Sequence, residues 1–235
     1  SQLASPSVGI YGYDGNASNG WTIWNQAYSD LNPNAVITPG QGFLVASVAG
    51  GGNINFTPAM RTIGNSDDFI AGRNNNISYF KLNLTNGSDA YYSEFYVSDN
   101  ASLGLDPGYD ARTFGSIAPS FSIYSQLVEE NDGTDMAIQA ISNTDISNNA
   151  IIPLGINATA GQQLTISLSD NMLPSDIDIY LEDSQNNTFT LLNDTDYNLT
   201  PATDLQGIGR FNLRFNQGTL SINDSGLDTI QVLSL

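Results

Sequence analysis

The sequence predicts an all-β protein made of antiparallel β-sandwich units, two of them packed in tandem. Short runs of alternating apolar and polar residues are separated by clusters of Gly, Asn, Asp, Ser and Pro, the pattern of strands joined by turns. No stretch carries an apolar stripe at i, i+3, i+4, i+7 over three turns, as a surface helix would. Ser120 to Val128 offers one short helical turn at most. The alternating runs are apolar on one side and polar on the other, as in antiparallel sheets with one face in water.

The clearest element is a hairpin. Ile77 to Thr85 sets Phe80, Leu82 and Leu84 on one face and Lys81 and Asn83 on the other. Asn86-Gly87 follows, the dipeptide suited to a two-residue type I′ turn, and Ala90 to Val97 returns with Tyr91, Phe95 and Val97 on one side. Further on, Gln163 to Ser169 alternates Leu164, Ile166 and Leu168. Ile177 to Glu182 alternates Ile177, Ile179 and Leu181. Arg210 to Phe215 alternates Phe211, Leu213 and Phe215. The polar stretch Ser142 to Asn149, ahead of the apolar Ile151 to Leu154, marks the expected boundary. Residues 1–145 form an N-terminal sandwich and residues 146–235 a smaller one, with Ile146 available to anchor the polar stretch; a single continuous sandwich is the other arrangement.

Composition narrows the function. Six Lys and Arg face 24 Asp and Glu, a formal net charge of -18. A polyanion gains nothing from counterion release, so nucleic acid is a poor partner, and anionic membrane surfaces are disfavoured. No apolar run reaches eighteen residues, so membrane insertion is not expected. The sequence holds no Cys and no His, which removes the usual zinc sites, disulfides, and every triad or dyad built on imidazole or thiol. Catalysis would have to use carboxylates, Tyr or the single lysine, Lys81. No catalytic residues are assigned and no enzyme activity is expected.

Several short motifs carry a resemblance. Thr38-Pro39-Gly40-Gln41-Gly42-Phe43-Leu44-Val45 is followed by Asn55-Phe56-Thr57 and Met60-Arg61, then by Asp106-Pro107-Gly108-Tyr109-Asp110-Ala111 and Ile152-Pro153-Leu154-Gly155. In this order, over Trp21 to Leu235, they resemble the C-terminal region of large secreted or surface proteins of the Bacteroidota, the region that precedes a sorting domain for type IX secretion. The resemblance implies a place outside the cell, released or surface-attached, and supplies no active-site residues. It also implies a sorting domain beyond Leu227 to Val232, a run similar to the linker that leads into one. A Gly-Asn-Pro-Tyr-like strand usual in the family is missing from Ser1 to Val8, which would leave a sheet edge open to a partner strand.

Candidate sites are few. Asp14, Asn16 and Ser18 space oxygen ligands at alternate positions, as calcium loops do, although Asx-rich turns have the same composition. Asp106 and Asp110 flank Pro-Gly near Arg112, either as a calcium or carboxylate pair or as aspartates that cap backbone amides and pair with Arg112. Calcium is the one cofactor considered. Tyr11, Tyr13, Trp21, Trp24 and Tyr28 form an aromatic stretch able to stack on sugars or anchor an interface, with the two tryptophans on opposite faces of a strand. The eleven Asn-x-Ser/Thr sequons are a by-product of Asn- and Thr-rich turns and carry no functional weight. The expected function is a non-catalytic extracellular module for adhesion or ligand binding, its partners being glycans, other surface proteins or copies of itself. The alternatives are a structural subunit assembling through strand edges and a carboxylate-based glycoside hydrolase.

Overall fold

The structure is a computed structural model and describes residues 3–4, 7–13, 21–63 and 78–217. Its strands in chain order are β1 (Ile10–Tyr13), β2 (Trp21–Trp24), β3 (Phe43–Leu44), β4 (Ser78–Thr85), β5 (Ala90–Val97), β6 (Ala111–Arg112) and β7 (Ser122–Ser125), followed by β8 (Met136–Ile141), β9 (Ile151–Asn157), β10 (Leu164–Ser169), β11 (Ile177–Asp183), β12 (Thr188–Leu191), β13 (Tyr197–Leu199) and β14 (Phe211–Gln217). Two short helices interrupt them, α1 (Gln26–Leu31) and α2 (Asn143–Ser147). The chain is nearly all β, as expected.

The first three strands form a small sheet in the order β2-β1-β3. The remaining eleven form one large sheet, ordered β12-β11-β14-β9-β7-β8-β5-β4-β10-β13, with β6 also paired to β8. This ladder runs across residue 145. Strand β9 pairs with β7, and β10 with β4, so hydrogen bonds join the two halves into one sheet. The polar stretch Ser142–Asn149 is a helical turn inside that sheet. The Ser142 side chain accepts from Asp145 N at the start of α2, and Ile146 is buried in the core. Pairing is not purely antiparallel either. Strands β5 and β8 run parallel, because residues 98–135 cross over between them.

The large sheet curls on itself into a near-barrel. Phe80 of β4 stacks on its cross-strand neighbour Phe95, 4.8 Å between ring centroids, and also meets Phe215 of β14 at 6.0 Å. Strands β4 and β14 are far apart in the ladder, so only a folded sheet brings those rings together. The alternating residues read from the sequence fill this interior: Leu82, Leu84, Leu164, Ile166, Ile177, Ile179, Leu181, Phe211 and Leu213 all belong to one core. Each such side chain contributes roughly 1.5–3 kcal/mol on burial.

A polar hub draws the two ends of the sheet together. Asp183, at the end of β11, is fully buried. Its carboxylate accepts Arg210 Nε at 2.9 Å, Arg210 Nη2 at 2.6 Å and the Tyr197 hydroxyl of β13 at 2.6 Å, with Asn186 Nδ2 at 2.9 Å. Burial alone would raise this carboxyl, but the bonds from Arg210, Tyr197 and Asn186 outweigh it and hold the pKa down to about 2.

The hairpin of β4 and β5 is present over the expected strands, with Ile77 outside the described residues. Its loop holds four residues rather than two, since Thr85 pairs with Ala90. Asn86 Oδ1 accepts Ser88 N and Asp89 N, and only Gly87 has positive φ, at 87°. This Asx-type loop replaces the type I′ turn. Residues 122–125 form a strand, β7, where a helical turn was the alternative.

Two outcomes test this account. Arg210→Ala leaves a buried carboxylate without its cation and should cost about 3–5 kcal/mol in denaturant unfolding. Because Asp183 titrates lower in the folded chain than in the unfolded one, its contribution is complete above about pH 4 and is lost on acidification toward pH 2. Thermal melts across that range should show the loss, and an Asp183→Asn variant should lack this share of it.

Candidate functional site

The small sheet sits over the outer face of the large one and carries an aromatic surface on each side. Its register pairs Tyr13 with Trp21 and Tyr11 with Ile23, so these four share a face. Ile10, opposite Trp24, lies on the other. The two tryptophans therefore point to opposite sides, as the alternation predicts.

On the first face, Trp21 is stacked on Phe114, with ring centroids 4.2 Å apart and planes 17° from parallel. Tyr13 meets Trp21 edge-on at 5.7 Å, and Tyr11 leans on Phe114 at 5.9 Å. Tyr13 is 68% exposed and Phe114 45% exposed, whereas Tyr11 is buried. Beside this cluster lies a cavity of about 200 Å³ lined by Ser7, Tyr11, Leu44, Arg112, Thr113 and Phe114 among others. Burial pushes the Tyr11 phenol above its ordinary value, against the opposing pull of Ser7 and of the Arg112 guanidinium.

Thr113 adds a polar demand. It is buried, and its Oγ1 has no hydrogen-bond partner among the described residues. It stands where a hydroxyl usually caps a helical turn, ahead of the 3₁₀ turn 114–116, yet makes no such bond. A buried hydroxyl left unpaired costs about 1–3 kcal/mol. Gly115, with φ 79°, sets the bend that follows Phe114 in a conformation other residues rarely adopt.

The other face holds Trp24 stacked on Tyr28 at 4.8 Å. It borders a wider cleft of about 830 Å³, lined by Trp24, Phe43, Phe56, Met60, Arg61 and Ile63 among others. The five aromatic residues singled out from the sequence thus divide into two groups. Tyr11, Tyr13 and Trp21 come together with Phe114; Trp24 and Tyr28 form a separate stack, with Tyr28 buried among α1 residues. Burial, aided by the Glu94 charge, lifts the Tyr28 phenol above its ordinary range.

Asp106 and Asp110 are engaged in holding this region together. Asp106 accepts from Ser102 N at 2.6 Å and from its hydroxyl. Asp110 is fully buried; its two oxygens accept Asp106 N at 2.7 Å and Ala140 N of β8 at 2.8 Å. The loop between them receives α1: Gln26 N donates to Gly108 O, and Asn25 Nδ2 to Tyr109 O. These contacts are those of amide-capping aspartates. The expected ion pair with Arg112 does not form among the described residues; Arg112 lines the cavity instead. Burial pushes the Asp110 carboxyl up to about 7, against the lowering pull of the Asp106 and Ala140 amides and with a smaller push from the Asp106 charge. Among the described residues, no group of three or more acidic side chains could hold a metal ion. Asp14, Asn16 and Ser18 lie outside the described residues.

Sequence reasoning missed Phe114 and Thr113. Neither belongs to a motif, and both reach the site only because β6 is pinned to β8.

A family model described as "Domain of unknown function (DUF8693)" matches residues 6–215. The chain belongs to this family. The DUF8693 match spans both halves of the large sheet and the small sheet with its cavity. No curated protein and no solved structure matches the chain.

The DUF8693 loop makes a test of its own. Asp110 binds its proton more tightly folded than unfolded, so its contribution is complete below about pH 4 and falls away as pH rises toward 7. Melting temperatures of the native chain should decline over that window relative to Asp110→Asn, which has no carboxyl to titrate.

Proposed function

We propose that this chain is a non-catalytic binding module, displayed outside the cell, that recognises a sugar ring at the aromatic cradle of Tyr13, Trp21 and Phe114. The observation that carries the reading is the Trp21–Phe114 stack, with Tyr13 standing exposed against Trp21 and Phe114 also lining a cavity. Flat aromatic faces pack against the C–H faces of pyranose rings, and large rigid side chains of this kind supply contact area at low entropic cost. The cavity of about 200 Å³ lies below the volumes typical of drug-sized ligand sites, roughly 300–1,000 Å³. That size suits a single ring, with the rest of a chain lying over Trp21 and Tyr13. The unpaired Thr113 hydroxyl beside it supports a hydroxyl-rich ligand.

The reading as a binder also draws on Asp106 and Asp110, whose carboxylates are committed to Ser102 and to backbone amides. A general acid and base would need to face a substrate. The acidic surface, with net charge -18, favours solubility and low non-specific adhesion. The resemblance to secreted Bacteroidota proteins supports an extracellular or outer-surface location.

A second reading, assembly through a sheet edge, is favoured by β12. This strand ends the ladder, contains no charged residue or proline, and exposes Phe189. Natural edges usually carry such protection. Light scattering that stays monomeric at high concentration would eliminate this reading.

Binding to a broad glycan array tests the main one. Trp21→Ala should weaken binding by about tenfold, since loss of a stacked base or ring on an aromatic typically costs about 1–3 kcal/mol. Tyr28→Phe, remote from the cradle, should leave it unchanged. An array without hits would refute sugar recognition.

A further inference from the structure

The described residues include five cationic side chains: Arg61, Lys81, Arg112, Arg210 and Arg214. In a chain with 24 acids, each would be expected to find a carboxylate. Three do. Lys81 pairs with Glu94 and Asp170, Arg210 with Asp183, and Arg214 with Glu182. Arg112 makes no ion pair among the described residues, although it follows Asp110 by two positions and Asp106 by six. Those carboxylates are occupied by other donors.

Arg112 instead lines the cavity that Phe114 of the aromatic cradle borders, and among the described residues no acidic side chain lines it with Arg112. The guanidinium is close enough to the Tyr11 phenol to lower its pKa by charge. Backbone pairing of β6 with β8 fixes its position. A planar guanidinium presents parallel N–H donors matched to carboxylate or sulfate oxygens. Within so negative a molecule, such a locally positive cavity selects against neutral sugars only if the ligand itself supplies the anion.

We infer that the sugar seated at the cradle is anionic, a uronate or a sulfated pyranose whose charged group pairs with Arg112 while its ring lies against the Trp21–Phe114 stack. This rests on the sugar-binding reading above. The pairing is short-ranged: at physiological ionic strength the Debye length is about 8 Å, so the diffuse negative charge of the protein is largely screened while the direct contact remains.

The test uses the full chain on an array presenting the same backbone sugars in neutral, carboxylated and sulfated forms at about 0.15 M salt, with native protein, Arg112→Gln and Trp21→Ala. Native protein should prefer anionic forms, and the two anionic series show whether carboxylate or sulfate is taken. Arg112→Gln should lose about tenfold or more on those forms, as expected for removing a charge-assisted bond, while keeping any neutral binding within about twofold. Trp21→Ala should lose both. Melting curves of the variants matching the native chain keep folding defects out of the comparison. Equal binding of neutral and anionic forms, or an anionic preference untouched by Arg112→Gln, overturns the inference and leaves the cradle standing. Absence of binding to every form overturns the cradle and the inference together.

Discussion

The geometry of the aromatic face depends on one buried carboxylate. Asp110 ties the amide of Asp106, which closes its own loop, to the amide of Ala140 in the middle of β8. Through that loop α1 is held by Gly108 and Tyr109, and α1 continues directly from β2. Two residues after Asp110 begins the run Arg112, Thr113 and Phe114. Asp110 and the pairing of β6 with β8 thus hold both the segment that carries Phe114 and the loop that receives α1. The same site that makes this bond also disfavours its charged form through burial, so the anchor is held by backbone donors rather than by a cation. Arg112 is released from pairing with its neighbour and is left to face the cavity.

Strand β8 makes this possible because it is buried on both faces. Ile141 belongs to the interior of the near-barrel. Ile138 and Ala140 belong to a second, outer core with Ala27, Leu31, Tyr79, Tyr96 and Ala111, against which Ile23 of the small sheet packs. The small residues Ala27, Ala111 and Ala140 let α1 and β6 approach closely. The interior is filled by close-packed aliphatic and aromatic side chains, Phe80, Phe95 and Phe215 among them. The cavity beside Phe114 lies instead at the seam between the two sheets.

Sequence pattern made the large sheet legible because period-two alternation reports directly on which face meets the core. Strands β4, β5, β10, β11 and β14 were all placed within a residue or two. Sheet order was not legible. Local alternation says nothing about which strand a neighbour will be, and a polar stretch such as Ser142–Asn149 has the same composition whether it divides two domains or turns a corner within one. The parallel pairing of β5 with β8 follows from a long crossover that no local signal announces. At the site, alternation did separate Trp21 from Trp24. It could not supply Phe114 or the cavity-lining Arg112, because their roles arise from the fate of Asp106 and Asp110, and the choice between pairing with arginine and capping amides is a tertiary one.

The two buried aspartates show how the same residue type is put to opposite uses. Asp183 meets its burial cost with a bidentate arginine and a tyrosine and stays charged well below neutrality, which suits a fixed tie across the seam of a curled sheet. Asp110 has only amide donors and titrates near neutrality. Had Arg112 been recruited to Asp110, the cavity would lose the guanidinium that lines it. The arrangement gives up local stability at the loop and keeps a cation facing outward.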